Sequence, residues 1–223
     1  MTRGKFITLE GGEGVGKTTN LIFIKDYLQQ HGISVVVSRE PGGTQLAEKI
    51  RQLLLDNNSE AVSETAELLM MFAARAQHIK HVIEPALAQG HWVLCDRFTD
   101  ATYAYQGGGR NIKIGTINWL ENLVQGTLKP DLTLLLDAPV EVGISRARER
   151  GAFDRFESEK IGFFETVRRA YLLQAELFPE RIKLIKANQP LTDVQLAITD
   201  VIRSLPCLST LTCPTPSSND SVK

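Results

Sequence analysis

The stretch FITLEGGEGVGKTTNLIFIKDYL, residues 6 to 28, changes from an apolar run to a glycine-rich segment and then to an amphipathic helical pattern. Its centre, GGEGVGKT at residues 11 to 18, matches the pattern GxxxxGK[ST] between a buried strand and a helix. Glycines let backbone N–H groups approach phosphate oxygens, and the helix N-terminus adds favourable partial charge. The stretch therefore predicts a loop that holds phosphate groups.

Two residues of this loop carry specific expectations. Lys17 is placed to bridge the β and γ phosphates of a triphosphate, and the hydroxyl of Thr18 is placed to reach Mg²⁺. The full set of predicted ATP contacts in this segment is Gly11, Gly12, Glu13, Gly14, Val15, Gly16, Lys17, Thr18 and Thr19. Switch GTPases, ATP-driven machines and small kinases share such a loop, so it does not name a reaction. The chain has no Asn-Lys-x-Asp motif for reading guanine, which disfavours a GTPase.

Outside the loop, the sequence alternates short apolar runs with longer segments of helical period. The apolar runs lie at residues 6–9, 35–37, 92–95, 132–136 and 182–185. The helical segments lie at about 17–31, 44–56, 63–89, 115–127, 140–150, 157–177 and 191–203. Continuous apolar strands between helices are typical of a parallel sheet covered on both faces. We therefore predict a three-layer α/β/α fold with a five-stranded parallel sheet, and a loop at the glycines 107–109.

Length and local composition favour one globular unit. The 223 residues are enough for one sizeable core, and we predict a single domain at 1–206. Within it we expect a short lid at about 143–157. The last residues, 207–223, are rich in Ser, Thr and Pro, and we expect them to be disordered.

Charge and hydropathy argue against several classes of function. The formal net charge is −1, whereas proteins that coat nucleic acid carry a large basic excess, so we expect no nucleic-acid partner. No apolar run approaches the ~20 residues that span a bilayer, so we expect no membrane segment. The N-terminus lacks the features of a secretory signal, which predicts a cytoplasmic protein. The three cysteines have neither disulfide nor metal-ligand spacing.

Arginines near strand ends and glycines predict a second anion site. They are Arg39, Arg51, Arg75 and Arg97. In a doubly wound fold the carboxyl ends of the strands line the ligand crevice, so Arg39 and Arg97 should meet the phosphate loop there. A planar guanidinium binds phosphate through two hydrogen bonds, which favours a second phosphate-bearing substrate. For each arginine taken alone, a surface salt bridge is the competing interpretation.

A carboxylate directly after an apolar strand is the expected Mg²⁺-side group of a phosphate-loop protein. Asp96 follows one such run and Asp137 follows another. We favour Asp96 as the metal-side carboxylate because Arg97 adjoins it. Asp137 is the alternative.

The stretch SRARERGAFDR, residues 145 to 155, forms a third basic cluster. Arg146 and Arg150 lie one helical turn apart, with Arg148 on another face of the helix. Such a helix is suited to close over a transferring phosphoryl group and to neutralise its charge. A solvated charged helix is the equally weighted alternative.

Taken in order, these stretches resemble the bacterial thymidylate kinases, members of the nucleoside-monophosphate kinase group. The resemblance runs from residue 6 to about residue 203 and includes EGGEGVGKTT, SREPGGTQLAEKIR, LLMMFAARAQH, CDRFTDATYAYQGGGR, KPDLTLLLD and RARERGAFDRFE. It implies transfer of the γ-phosphoryl group of ATP to dTMP, with Mg²⁺, by a homodimer. A kinase for another nucleotide and a nucleotide-dependent switch module are the competing functions.

The resemblance also implies how dTMP is held. Arg39 and Arg97 would hold its phosphate, with Arg51 nearby, and Arg75 would read the thymine edge. The other residues that we expect at dTMP are Glu13, Met71, Phe72, Thr102, Tyr105 and Gln106.

These further contacts divide between base and sugar. Thr102 and Gln106 would help Arg75, and Tyr105 would lie near the sugar. We expect Glu10 and Glu13 to face Mg²⁺, an arginine or the sugar, with Glu13 as the sugar contact. Family members commonly place phenylalanine where this chain has Met71, one position before Phe72, so the residue that stacks on thymine stays open.

The catalytic arginine is expected outside the phosphate loop. One subgroup of the family carries it within the loop, where this chain has Glu13-Gly14-Val15. The resemblance therefore implies a lid arginine, best matched by Arg150, and Arg146 is expected at ATP. Catalysis would then depend on positioning and charge neutralisation by Lys17, Arg97 and Arg150.

Overall fold

The computed structural model describes residues 2–56, 60–149, 155–157 and 159–205. Its five strands pair in parallel in the order β2-β3-β1-β4-β5. They are β1 Phe6–Glu10, β2 Val35–Arg39, β3 Trp92–Asp96, β4 Leu132–Asp137 and β5 Ile182–Lys186. Each strand begins at the predicted residue and runs one or two residues further than predicted. The apolar runs stop short because the last residue of every strand is charged.

Helices cover both faces of this sheet. They are α1 Lys17–Gln30, α2 Gln45–Leu55, α3 Glu64–His78, α4 Glu84–Ala88, α5 Thr99–Thr102, α6 Ile114–Gln125, α7 Val140–Arg148, α8 Ile161–Leu177 and α9 Leu191–Arg203. A π-helical segment, Ile79–Ile83, joins α3 to α4, so the long helix predicted at 63–89 is nearly continuous. The predicted three-layer α/β/α fold is confirmed.

The prediction of a loop at the glycines 107–109 is wrong. These glycines end a second π-helical segment, Tyr103–Gly109, that continues α5. A Cβ atom on Gly108 would lie 2.7 Å from Ala170 Cβ, and one on Gly109 would overlap the ring of Phe163. Gly108 and Gly109 therefore serve close packing against α8 and do not form a turn.

The core lies on both sides of the sheet, because successive side chains of a strand point to opposite faces. Ile7 and Leu9 of β1 pack into a cluster with α1 and α9. Phe6 packs on the other face with Cys95 and Phe98. Cys95 is a buried thiol, as expected for a core residue.

Some sequence predictions fall on residues outside this description. Arg150, residues 151–154 and the C-terminal stretch 207–223 lie outside the described residues. The single domain at 1–206 and the lid boundaries therefore stay predictions. Across the described residues, no helix is both long and apolar enough to cross a bilayer.

The interior position of β4, between β1 and the edge strand β5, generates a stability prediction. Leu134 of β4 is fully buried, whereas Leu184 of the edge strand β5 is 48 % exposed. We expect Leu134→Ala to lower the free energy of unfolding by about 2–5 kcal/mol, since it removes a core side chain and leaves a cavity. The matched change Leu184→Ala should cost less than about 1 kcal/mol. Urea denaturation measures both, and equal losses would contradict this account of the core.

Candidate active site

The phosphate loop leaves the end of β1 and enters α1 at Lys17. Gly14 has φ 66°, in the left-handed region that favours glycine. A Cβ atom on Gly14 would overlap the carbonyl oxygen of Gly143 in α7, and one on Gly143 would overlap the carbonyl oxygen of Glu13. The loop backbone therefore packs directly on the backbone of α7.

The ammonium group of Lys17 lies inside the curve of the loop. It donates hydrogen bonds to the carbonyl oxygens of Gly12 at 2.7 Å and Gly11 at 3.2 Å. Burial lowers the pKa of Lys17, and the nearby Arg97 guanidinium lowers it further. The Lys17 ammonium group and the Arg97 guanidinium group therefore lie close together at the loop, where they favour the binding of an anion.

A cavity opens over the loop and gathers several predicted phosphate ligands. Besides residues 13–19 of the loop, its lining includes Arg51, Asp96, Arg97, Arg146 and Glu157. Gly11 and Gly12, which were also predicted to contact ATP, do not line it. Arg146 also donates a hydrogen bond to the carbonyl oxygen of Ala187 at 3.2 Å. We call this space the phosphate cavity.

The two candidate metal-side carboxylates have different surroundings. Asp96 lines the phosphate cavity together with Thr18. Its Oδ1 atom is buried, and within the described residues it has no hydrogen-bond partner. Both oxygens of Asp137 accept hydrogen bonds from Arg168, at 2.7 and 2.9 Å. Because a buried carboxylate oxygen without a partner is costly, Asp96 fits a cation site better than Asp137.

The composition of that site indicates what kind of metal it suits. Among the described residues, no group of three or more His, Cys, Asp or Glu side chains could hold a metal ion. One carboxylate and one hydroxyl are typical of Mg²⁺ that keeps waters and takes its other ligands from substrate phosphates. The residues present therefore fit Mg²⁺ bound with a nucleotide.

A second cavity, which we call the substrate pocket, adjoins the phosphate cavity. Glu13, Arg51 and Arg97 line both cavities and mark the boundary between them. Eight of the ten residues predicted to bind the second substrate line the substrate pocket: Glu13, Arg51, Met71, Arg75, Arg97, Thr102, Tyr105 and Gln106. The structure thus brings most of the predicted substrate site together.

Arg75 is held rigidly at the inner wall of the substrate pocket. Its side chain is 2 % exposed, and its Nε atom donates to Glu40 Oε2 at 2.6 Å. Its Nη2 atom donates to the carbonyl oxygen of Phe98 at 3.1 Å and to Thr102 Oγ1 at 3.0 Å. The buried Nη1 atom has no hydrogen-bond partner in the described part of the chain. One oriented donor is therefore left for a ligand.

Glu40 is a site residue that the sequence analysis did not single out. Its Oε1 atom accepts a hydrogen bond from His78 Nδ1 at 2.9 Å, and His78 Nε2 lies 2.7 Å from Ser38 Oγ. Glu40 thus anchors Arg75 to a buried chain of polar groups. The sequence signal for Glu40 is its place between Arg39 and Pro41 in the stretch REPGG, residues 39 to 43.

Arg97, Glu13 and Tyr105 form one connected group at the boundary between the cavities. Glu13 Oε1 accepts hydrogen bonds from Arg97 Nη2 and Tyr105 Oη, each at 2.7 Å. Arg97 also donates to the carbonyl oxygen of Gly11 at 2.9 Å, and its guanidinium lies 4.8 Å from the centroid of the Tyr105 ring. The expectation that Glu13 faces an arginine agrees with this geometry.

Glu10 lies below this group and lines neither the phosphate cavity nor the substrate pocket. Its carboxyl accepts hydrogen bonds from the backbone N–H of Phe98 at 2.7 Å and from Tyr171 Oη at 2.8 Å. Burial, with a further contribution from Asp100, raises the pKa of Glu10 to about 8. Glu10 is therefore a buried structural carboxyl, which corrects the expectation that it faces metal or sugar.

Arg39 and Phe72 are the two predicted substrate residues that do not line the substrate pocket. Arg39 lies on the edge strand β2, is 52 % exposed, and pairs with Glu48 at 2.8 Å. Phe72 is 2 % exposed and packs on the core side of Arg75, 4.9 Å from the guanidinium to the ring centroid. Residues three and four apart are both neighbours on a helix, so spacing alone does not separate Met71 from Phe72. The structure places Met71 at the substrate pocket and Phe72 in the core.

Comparison by sequence and comparison by structure identify the same family of proteins as similar to this chain. A sequence model of the family described as "Thymidylate kinase" matches residues 9–198. The thymidylate kinase of Teredinibacter turnerae is 57 % identical over 202 residues, which cover 91 % of this chain and 97 % of that protein. The thymidylate kinase of Pseudomonas entomophila is 60 % identical over 195 residues, or 87 % and 93 % of the two chains.

A solved structure extends this similarity to the fold. The crystal structure of thymidylate kinase from Ehrlichia chaffeensis aligns with a TM-score of 0.73 at 33 % identity. The alignment covers 90 % of this chain and 99 % of that one. With the family model spanning most of the sequence and two joined cavities at the expected edge of the sheet, this chain belongs to the thymidylate kinase family.

Proposed function

We propose how this chain catalyses its reaction, the transfer of the γ-phosphoryl group of ATP to dTMP, which yields dTDP and ADP. The observation that carries the proposal is the shared boundary of the two cavities, where Glu13, Arg51 and Arg97 line both. ATP phosphates would occupy the phosphate cavity, and dTMP would occupy the substrate pocket. The two reacting groups would then meet at the boundary.

The chemistry needs positioning more than proton transfer. The attacking atom is a phosphate oxygen of dTMP, which is already anionic at neutral pH, so no strong general base is required. Arg97 and Arg51 at the boundary, with Lys17 in the phosphate cavity, supply positive charge that offsets the repulsion between two anionic substrates. We propose Lys17 and Arg97 as catalytic residues on this basis, together with Arg150 from the sequence.

Thr18 and Asp96 are the proposed ligands of Mg²⁺. The buried, unpartnered Oδ1 atom of Asp96 supports this assignment. When bound, Mg²⁺ supplies charge neutralisation at the β and γ phosphates of ATP. The loop backbone and Lys17 would orient the triphosphate, and Arg146 would contact it from α7.

The substrate pocket supports recognition of thymine and deoxyribose. The free Nη1 donor of Arg75 is suited to a base carbonyl oxygen, with Thr102, Gln106 and Met71 beside it. Glu13 and Tyr105 lie on the phosphate side of the pocket, where the sugar of a bound nucleotide would lie. Arg39 as a ligand of the dTMP phosphate stays a prediction from the resemblance.

We also propose that the chain works as a homodimer in the cytoplasm. Large apolar side chains on the outer face of α6 support association, since Trp119 is 63 % and Leu123 is 65 % exposed. Sedimentation equilibrium tests the dimer, and a monomer mass at micromolar concentration would contradict it.

A panel of nucleotides tests the proposed substrate. We expect ADP release with dTMP to exceed that with dCMP, dGMP and AMP by at least about tenfold in kcat/KM, because the pocket offers an oriented donor to the base. A coupled ADP-release assay measures each rate. Equal rates across the panel would mean that the pocket does not select thymine.

Two matched substitutions test the metal-side carboxylate. We expect Asp96→Asn to raise the Mg²⁺ concentration for half-maximal activity on the order of tenfold, because it weakens an oxygen ligand. Asp137→Asn should leave that concentration unchanged, since Arg168 already occupies both Asp137 oxygens. Titration of activity with Mg²⁺ distinguishes them, and a larger shift in Asp137→Asn would reverse the assignment.

The proposed lid arginine makes a kinetic prediction. We expect Arg150→Ala to lower kcat on the order of 10²-fold with little change in KM for dTMP, because it removes a charge contact made in the transition state. Arg148→Ala, predicted on another face of the helix, is the control and should retain kcat. A change confined to KM would make Arg150 a binding residue.

A further inference from the structure

Glu67 is a buried carboxylate on α3, beside the substrate pocket, that none of the roles above uses. It is 1 % exposed. Its Oε1 atom accepts a hydrogen bond from Gln106 Nε2 at 2.8 Å, and its Oε2 atom accepts one from Arg155 Nη2 at 2.7 Å. Arg110 approaches both oxygens at 3.4 Å. Glu67 thus links a residue of the pocket to two arginines outside it.

Stability alone does not account for this cluster. Moving a carboxylate out of water is costly, and surrounding cations mostly offset that cost. The cluster instead fixes the orientation of the side chains around Glu67. Gln106 donates to one carboxylate oxygen and Arg155 donates to the other.

The contact determines which way the Gln106 amide is turned. A carboxylate that faces two guanidinium groups only accepts hydrogen bonds, so the part of Gln106 that faces Glu67 is its NH₂ group. The carbonyl oxygen of Gln106 is then turned away from Glu67. It is available as an acceptor to the pocket that Gln106 lines.

We propose that Glu67 is a positioning residue for base selection, which holds the Gln106 carbonyl oxygen as the acceptor for the N3–H group of thymine. The inference rests on the proposed function. Arg75 presents a donor to the same pocket, and this pair of groups matches the O4 acceptor and N3–H donor of thymine. Cytosine presents the opposite pattern, with a donor at N4 and an acceptor at N3.

The isosteric substitution Glu67→Gln should reverse the amide. Arg155 can only donate, so it would retain the carbonyl oxygen of the new side chain and leave the new NH₂ group facing Gln106. Gln106 would then turn its own carbonyl oxygen toward residue 67 and its NH₂ group toward the pocket. There the NH₂ group would oppose the N3–H group of thymine.

The ratio of kcat/KM for dTMP to that for dCMP is the readout. In Glu67→Gln we expect it to fall on the order of tenfold to hundredfold, mainly through a higher KM for dTMP, because one polar contact becomes a donor–donor pair. The ratio for dTMP to dUMP should stay constant, since uracil carries the same N3–H group. Each ratio comes from one preparation, so an unfolded fraction cancels.

A control and a rescue complete the test. In Glu121→Gln both ratios should stay constant, because Glu121 accepts its hydrogen bond from Tyr103, away from the pocket. The double change Glu67→Gln with Gln106→Glu returns an acceptor to the pocket and should restore the preference for dTMP over dCMP. If the single variant Glu67→Gln does not fold, the double variant still tests the inference.

Two outcomes would overturn the inference. One is an unchanged ratio of dTMP to dCMP in Glu67→Gln, and the other is no preference for dTMP in the double variant. Failure of the unsubstituted enzyme to prefer dTMP over dCMP would instead contradict the proposed substrate selection.

Discussion

Because all five strands run in parallel, their carboxyl ends, where the candidate active site lies, are at the same end of the sheet. β1 and β3 pair with Leu9 opposite Asp96, and β1 and β4 pair with Glu10 opposite Leu135. The phosphate loop follows the carboxyl end of β1. An acidic residue at the carboxyl end of the neighbouring strand β3 therefore lies beside the loop. If β3 were antiparallel to β1, Asp96 would lie at the opposite end of the sheet, away from Thr18.

Two arginines, the partly buried Arg97 and the buried Arg75, illustrate how the site keeps cations where anions bind. Arg97 is paired with Glu13, and Arg75 is paired with Glu40. Each carboxylate offsets the cost of burying a guanidinium and also fixes its direction. The site can therefore present oriented donors without reorganisation when its substrates arrive, which is what phosphoryl transfer by positioning requires.

The sequence predicted the sheet well because its strands are continuous apolar runs. It indicated the phosphate loop where a motif places residues in order along one segment, whereas the choice between Met71 and Phe72 beside Arg75 stayed open until the structure placed Met71 at the pocket. Prediction from sequence was less successful where tertiary packing determines the local conformation or the partners of a side chain. The glycines 107–109 were predicted to form a loop, yet Gly108 and Gly109 lie in a helical segment where they let Ala170 and Phe163 of α8 approach closely. The hydrogen-bond partners of Glu40 and Glu67, Arg75 and Gln106, lie 35 and 39 residues further along the chain, so local sequence patterns do not reveal these contacts.

The contact between Gly14 and Gly143 has a mechanical consequence. Because main chain touches main chain there, no side chain can absorb a displacement of one segment relative to the other. A shift of the loop on nucleotide binding would be passed directly to α7, the helix that carries Arg146. Gly14 and Gly143 thus make the phosphate loop and α7 one packed unit, and this close approach depends on the absence of a side chain at both positions.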